Sequence, residues 1–225
     1  MALLSKRDTA QVMEKLESRY PDAKCALNFS NPFELLIATM LSAQCTDVRV
    51  NMVTERLFQK YRGPADFAAA TPEQVQEDIR EVGLFRSKAQ NIVATCRLLL
   101  ERYDGEVPAD REKLVELPGV GRKTANVVLS NAFGIPALAV DTHVLRVSNR
   151  IGLANSDSPD ETERQICRRV PKSQWSQAHH WLIHHGRQIC SARKPKCEAC
   201  PIQEHCRYFH KTFAKSMKTK ESTGG

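Results

Sequence analysis

The apolar positions of this chain recur in short blocks at helical spacing, and almost nowhere alternate as a strand would. Phe33-Glu34-Leu35-Leu36-Ile37-Ala38-Thr39-Met40-Leu41 is apolar nearly throughout, which predicts a helix buried on all sides. Asn31 and Pro32 mark its start as cap and first-turn residue. Thr46-Asp47 opens the next helix, through Leu57 and Phe58. Thr71-Pro72 starts another, closed by Gly83. From Arg86 to Tyr103 the apolar residues Ile92, Val93, Cys96, Leu99 and Leu100 share a helical face, with Gly105 past the end. Ser158-Pro159-Asp160-Glu161 predicts a capping box, and Gln174 to Gly186 the last long helix. Only Pro136 to Val140 looks extended. The expected class is all-α, without internal repeats.

At 225 residues and 25.4 kDa the chain can form one large domain or two small lobes with a substantial core. Its 41% hydrophobic and 26% charged residues argue against disorder. A net charge of +7 suits a polyanionic partner. No apolar run reaches the length of a membrane span. Residues 1–7 carry charge without an apolar stretch behind it, so no secretory signal is expected. A reducing, cytoplasmic setting is expected, in a bacterium by the size and the lack of a targeting segment, and there eight cysteines are not expected to make a disulfide framework. Four of them, Cys190, Cys197, Cys200 and Cys206, crowd into one short segment. From Cys190 onward there are eight basic and three acidic residues, and the Lys-rich end from Lys211 is expected to fray.

Three stretches carry chemistry. In Leu114-Val-Glu-Leu-Pro-Gly-Val-Gly-Arg-Lys-Thr-Ala-Asn126 a helix is stopped by Pro118. Gly119 and Gly121 allow positive φ and leave backbone N–H groups uncovered, and a second helix begins at once. Its free N–H groups and positive dipole end make an anion site suited to a nucleic-acid phosphate. Arg122 and Lys123 oppose that dipole, which is odd without an anion or a task nearby. A plain packing corner is the bland alternative. The cysteine spacing C-x6-C-x2-C-x5-C implies a metal, either tetrahedral zinc or [4Fe-4S]. In Ala139-Val-Asp-Thr-His143, Asp141 closes an extended stretch, and on its own reads most simply as a helix cap.

Together, Leu117 to Asn126, Val140-Asp-Thr-His143 and the cysteine spacing resemble the endonuclease III family of bifunctional DNA glycosylase/AP lyases. So do Asn31 to Ile37, Leu41-Ser-Ala-Gln-Cys-Thr-Asp47 and Gly83-Leu-Phe-Arg-Ser-Lys-Ala89, in order from about Pro21 to Tyr208. The resemblance implies a two-lobed helix–hairpin–helix fold. Residues 26–134 would form a six-helix barrel, with the hairpin at about 114–126. Residues 1–25 with 135–208 would form a cluster domain, and 209–225 a basic, flexible tail. It implies a [4Fe-4S] cluster on Cys190, Cys197, Cys200 and Cys206, and a cleft for DNA with Lys123 from one lobe and Asp141 from the other.

By the same resemblance, the base to be removed is flipped out of the duplex, since chemistry cannot reach it in the stack. Lys123 attacks C1′ of that nucleotide. An unperturbed lysine is neutral only about one part in a thousand near pH 7.4, so a helix N-terminus and neighbouring cations that lower its pKa would help. Asp141 assists its deprotonation and balances charge on the sugar. Gln44 fills the hole left by the base and Leu84 wedges the opposite strand; without the resemblance they read as a turn glutamine and a packing hydrophobe. Gly119, Gly121, Arg122, His143, Arg193, Lys194 and Lys196 would contact DNA or order the site. The implied substrate is damaged double-stranded DNA carrying oxidised pyrimidines such as thymine glycol. The implied state is a monomer with no small-molecule cofactor beyond the cluster.

Two alternatives remain at this stage. A monofunctional mismatch glycosylase of the same fold typically lacks Lys at position 123. A non-catalytic helix–hairpin–helix module with structural zinc would not need Lys123 with Asp141. The histidines at 179, 180, 184 and 185 do not make an H-E-x-x-H metal motif, because Trp181 follows His180. They read as helix-face residues. Cys25, Cys45, Cys96 and Cys167 read as structural, the first and last two as buried small hydrophobes.

Overall fold

The computed structural model describes residues 3–212, and those residues contain helices and turns but no strand. Of the basic tail expected at 209–225, residues 213–225 lie outside the described residues, while 209–212 belong to a helix, Arg207–Thr212. The chain divides into two compact units. One is Cys25–Ile135; the other takes the described residues up to Lys24 and from Pro136 onward. No described helix is long and apolar enough to cross a membrane.

The contiguous unit contains α2 (Pro32–Leu41), α3 (Asp47–Lys60), α4 (Pro64–Ala69), α5 (Pro72–Ile79), α6 (Phe85–Tyr103), α7 (Arg111–Val115) and α8 (Arg122–Ala132). The uniformly apolar α2 is its centre, packed against α3, α6 and α8, with every residue from Leu35 to Leu41 buried. Truncating one of its leucines to alanine would cost about 2–5 kcal/mol. Helix starts are fixed by local side chains. Asn31 accepts the Glu34 N–H, and Thr71 and Gln74 complete a reciprocal capping box. The short α4 was not anticipated, because it buries only Phe67 and leaves no periodic trace.

The second unit contains α1 (Lys6–Arg19), α9 (Thr142–Ile151), α10 (Pro159–Cys167), α11 (Trp175–Gln188) and α12 (Arg207–Thr212). Val12, Met13 and Leu16 of α1 join Val144, Val147 and Ile151 of α9 and Trp181 and Leu182 of α11 in one core. Gly186 lets α9 approach α11, since a Cβ there would lie 3.1 Å from His143, Arg146 and Val147 atoms. At α10, Ser158 accepts the Glu161 N–H, but no return bond from Glu161 closes a box. That carboxylate is engaged by Gln165 and Arg164 instead. The last long helix starts one residue later and ends two later than its sequence pattern indicates.

Candidate functional site

The hairpin between α7 and α8 is built from inside out. Leu114, Leu117 and Val120 are buried, and backbone bonds from Leu117 to Leu114 and from Val120 to Leu117 wind the turn over them. Thr95 of α6 donates to the Pro118 carbonyl at 2.9 Å. Gly119 sits at φ +77°, pressed on Asn91 of α6. Gly121, expected to share that backbone freedom, has φ −91° and open space around it. Its need for glycine is access, not conformation. Gly121 caps α8 with no side-chain bond, and the first turn holds no acidic residue. Free N–H groups, the dipole and exposed Arg122 and Lys123 therefore favour an anion there. Among the described residues no side chain bonds to the Lys123 amine.

Asp141 opens α9. Its Oδ1 accepts the N–H groups of His143 and Val144 at 2.9 and 2.8 Å, and its Oδ2 lies 3.0 Å from His143 Nδ1. The cap reading and the functional reading thus use one carboxylate. Burial pushes its pKa up, but the bonds from Val144 and His143 outweigh burial and hold it below the usual carboxylate range. At neutral pH it is an ionised acceptor with its geometry fixed by the helix start.

Gln44 and Leu84 are exposed, Leu84 at 55%, and both adopt the left-handed backbone, at φ 54° and 59°. Side chains other than glycine rarely do so without a task. The two turns are neighbours, for a Cβ on Gly83 would lie 3.4 Å from the Gln44 carbonyl.

Cys190, Cys197, Cys200 and Cys206 line one pocket whose walls include Ile151, Ile189 and Phe209. Among the described residues no three His, Cys, Asp or Glu side chains converge on a single-ion site. Zinc draws four sulfurs to about 2.3 Å of one centre; a multi-atom cluster keeps them apart around a hollow, and this ring fits the latter. Burial pushes the Cys197, Cys200 and Cys206 thiols up, Cys200 to about 12, and neighbouring sulfurs add to it, so these thiolates need a cationic partner. Arg150, which sequence reasoning missed, donates to the Ser191 and Ala192 carbonyls at 2.7 and 2.8 Å and to Cys190 Sγ at 3.5 Å. It also lies over the Tyr208 ring. Ser191 Oγ bonds to the Lys194 carbonyl, which folds the loop so that Arg193, Lys194 and Lys196 stand exposed.

His179, His180 and His185 are buried and His184 half-buried. His185 does more than pack: it bridges the Tyr20 hydroxyl at 3.1 Å and Cys200 Sγ at 3.6 Å. Burial holds His180 down to about 3 and His185 to about 4, so both are neutral in the cell. Of the remaining cysteines only Cys96 is fully buried; Cys25 and Cys167, expected to be, are half-buried, as is Cys45.

Over residues 37–172 the chain matches the family described as HhH-GPD superfamily base excision DNA repair protein, and over 190–206 the iron-sulfur binding domain of endonuclease III. It is 52% identical over 206 residues to the endonuclease III of Bacillus subtilis (strain 168), covering 91% of this chain and 94% of that protein. A trapped endonuclease III–DNA covalent intermediate superimposes with a TM-score of 0.89 at 51% identity, over 93% of this chain and 99% of that one. A non-covalent endonuclease III–DNA complex gives 0.90 at 50%, over 94% and 100%.

Proposed function

We propose a function on one premise: the chain belongs to the endonuclease III family of HhH-GPD base excision DNA repair proteins. It is a DNA glycosylase and abasic-site lyase that carries a [4Fe-4S] cluster. Its substrates are oxidised pyrimidines, such as thymine glycol, in damaged double-stranded DNA. It works as a monomer in the cytoplasm, with no small-molecule cofactor beyond the cluster.

The observation that carries the reading is Lys123, an exposed amine in the first turn of α8 beside an uncapped glycine hairpin. Its neutral nitrogen bonds to C1′ of the flipped nucleotide as the glycosidic bond breaks, and the base departs with a proton. The sugar ring opens to a Schiff base. That cation acidifies the C2′ hydrogen, and its loss expels the 3′ phosphate, nicking the strand 3′ to the abasic site by β-elimination. Asp141, ionised and fixed at the start of α9, accepts a proton and balances the positive charge on the sugar. His143 orders that carboxylate.

Gln44 fills the space of the flipped base and Leu84 wedges the opposite strand, which fits their exposure and left-handed backbones. Gly119, Gly121 and Arg122 hold one backbone phosphate, and Arg193, Lys194 and Lys196 another stretch. Binding should therefore weaken steeply with salt. Cys190, Cys197, Cys200 and Cys206 hold the cluster, which supplies a cross-link that shapes the basic loop.

Borohydride trapping on a duplex with one thymine glycol tests the reading. Wild type should give a covalent protein–DNA band and Lys123→Ala none. Base release without a band would make the enzyme a monofunctional glycosylase. Neither band nor release, with tight salt-sensitive binding, would leave a DNA-binding module.

A further inference from the structure

Lys88, the single lysine of α6, does not reach solvent. It is 6% exposed. A buried ammonium must be matched by polar partners. Here Nζ donates to the Leu41 carbonyl at 2.8 Å and the Ala43 carbonyl at 2.6 Å. Among the described residues no carboxylate meets it. Burial lowers its affinity for the proton, while the nearby Cys45 sulfur raises it.

The location of those carbonyls gives the contact its meaning. Leu41 is the last residue of α2, and a helix leaves its final carbonyls without intrahelical donors. The last turn of α2 holds no basic residue of its own. Lys88 supplies the missing positive charge from another helix, where the dipole favours a cation. The Ala43 carbonyl shares a rigid peptide plane with the Gln44 nitrogen. Fixing that oxygen fixes the plane from which Gln44 takes its left-handed turn. One turn earlier on α6, Leu84 has the same unusual backbone, and the Lys88 N–H bonds to the Leu84 carbonyl. Lys88 is thus tied by its main chain to one exposed loop residue and by its side chain to the loop of the other.

We propose that Lys88 is a positioning residue for base extrusion: its buried ammonium locks the 41–44 turn so that Gln44 stands ready beside Leu84. It touches neither DNA nor the reacting atoms. The proposal rests on the reading of Gln44 and Leu84 as the residues that occupy the opened duplex.

The test is a double-mutant cycle with Lys88→Met, which keeps the apolar stem and removes the ammonium, and with Gln44→Ala. Single-turnover release of thymine glycol from a duplex is measured beside cleavage of an abasic site in a single strand, where there is no orphaned base to meet. Lys88→Met should slow duplex release about tenfold, the scale of a lost charged hydrogen-bond pair. On a Gln44→Ala background it should cost under about twofold, as expected of a residue acting through Gln44. Single-strand cleavage should change little, and Lys88→Arg should recover part of the duplex rate. Hydrogen exchange should quicken at the amides of residues 42–45 and not in α8.

Equal loss on both substrates, or an equal cost with and without Gln44, would reduce Lys88 to general stability and overturn the proposal. So would an unchanged Lys88→Met. Gln44→Ala and Leu84→Ala that both left duplex release intact would instead overturn the underlying reading of the two loops, and the proposal with it.

Discussion

Gly119→Ala should damage this protein through backbone shape and contact at once, and the two shares can be separated. At φ +77° an alanine pays the left-handed penalty, about 1–2 kcal/mol. Its Cβ would also lie 2.7 Å from Asn91 Nδ2 and 2.9 Å from Asn91 Cβ and Cγ. The nearest of these is a flexible amide, but the Asn91 Cβ is anchored to α6 and cannot retreat without moving the helix. Such overpacking costs a further 1–3 kcal/mol or so. A total of roughly 2–5 kcal/mol lowers the melting temperature by about 5–15 °C in a protein of this size. Thermal melts followed by circular dichroism read that change. Compared with Asn91→Gly alone, which removes all three of those atoms and costs about 1 kcal/mol inside α6, the Asn91→Gly, Gly119→Ala double variant should lose only the backbone share. Gly121→Ala is the matched control: its φ is −91° and nothing lies within 4 Å, so it should lose only the roughly 0.5–1 kcal/mol that an alanine costs at a helix N-cap. It should still weaken DNA binding, because a methyl group there shields the free N–H groups of α8. A Gly119→Ala protein that melted with wild type would refute the reasoning, as would a Gly121→Ala protein that lost as much.

Two other outcomes follow from named contacts. Asp141→Asn keeps the shape of the cap and removes its charge, and should slow base release while costing about 1 kcal/mol of stability. Because the folded carboxyl is held below its ordinary range, the charge stabilises fully above about pH 4 and ceases to do so as pH falls through the lower folded value. The gap in urea midpoint between wild type and variant should close on acidification, and a gap independent of pH would contradict the assignment. Arg150→Ala removes bonds to Ser191, Ala192 and Cys190 together with the Tyr208 contact. Its iron–sulfur absorbance, at about 400 nm, should bleach in air or chelator at least about tenfold faster than wild type. Equal bleaching would show that the loop holds itself.

The helix starts were legible because their causes are local. Asn31 with Glu34, and Thr71 with Gln74, act within one turn of chain, and the apolar run of α2 announces burial by itself. The family and the cluster were legible because glycine and cysteine spacings answer to tight chemical needs. What the sequence hid is long-range side chain to backbone bonding. Arg150 reaches carbonyls some forty residues away, Lys88 reaches back to Leu41 and Ala43, and His185 joins Tyr20 to Cys200. None of these leaves a periodic pattern, and each residue read singly is an ordinary surface or helix-face side chain. Gly121 misled for a different reason: composition says that a glycine is present, not whether its φ or its openness is being used.

The unit that holds the cysteine ring is assembled from the two ends of the chain, with the other unit encoded between them. During synthesis this imposes a schedule. Residues 25–135 are complete, and their helices can pack, while the apolar face of α1 still has no partner. Val12, Met13 and Leu16 must wait for Trp181 and Leu182, more than 160 residues later. At typical translation speeds that is roughly 10–30 s during which α1 is a hydrophobic segment for chaperones to shield. The four cysteines emerge later still, after α9 and α11 have been made. Iron is therefore loaded after every other described helix but α12 has been made, and the ring closes on a unit whose core is already in place.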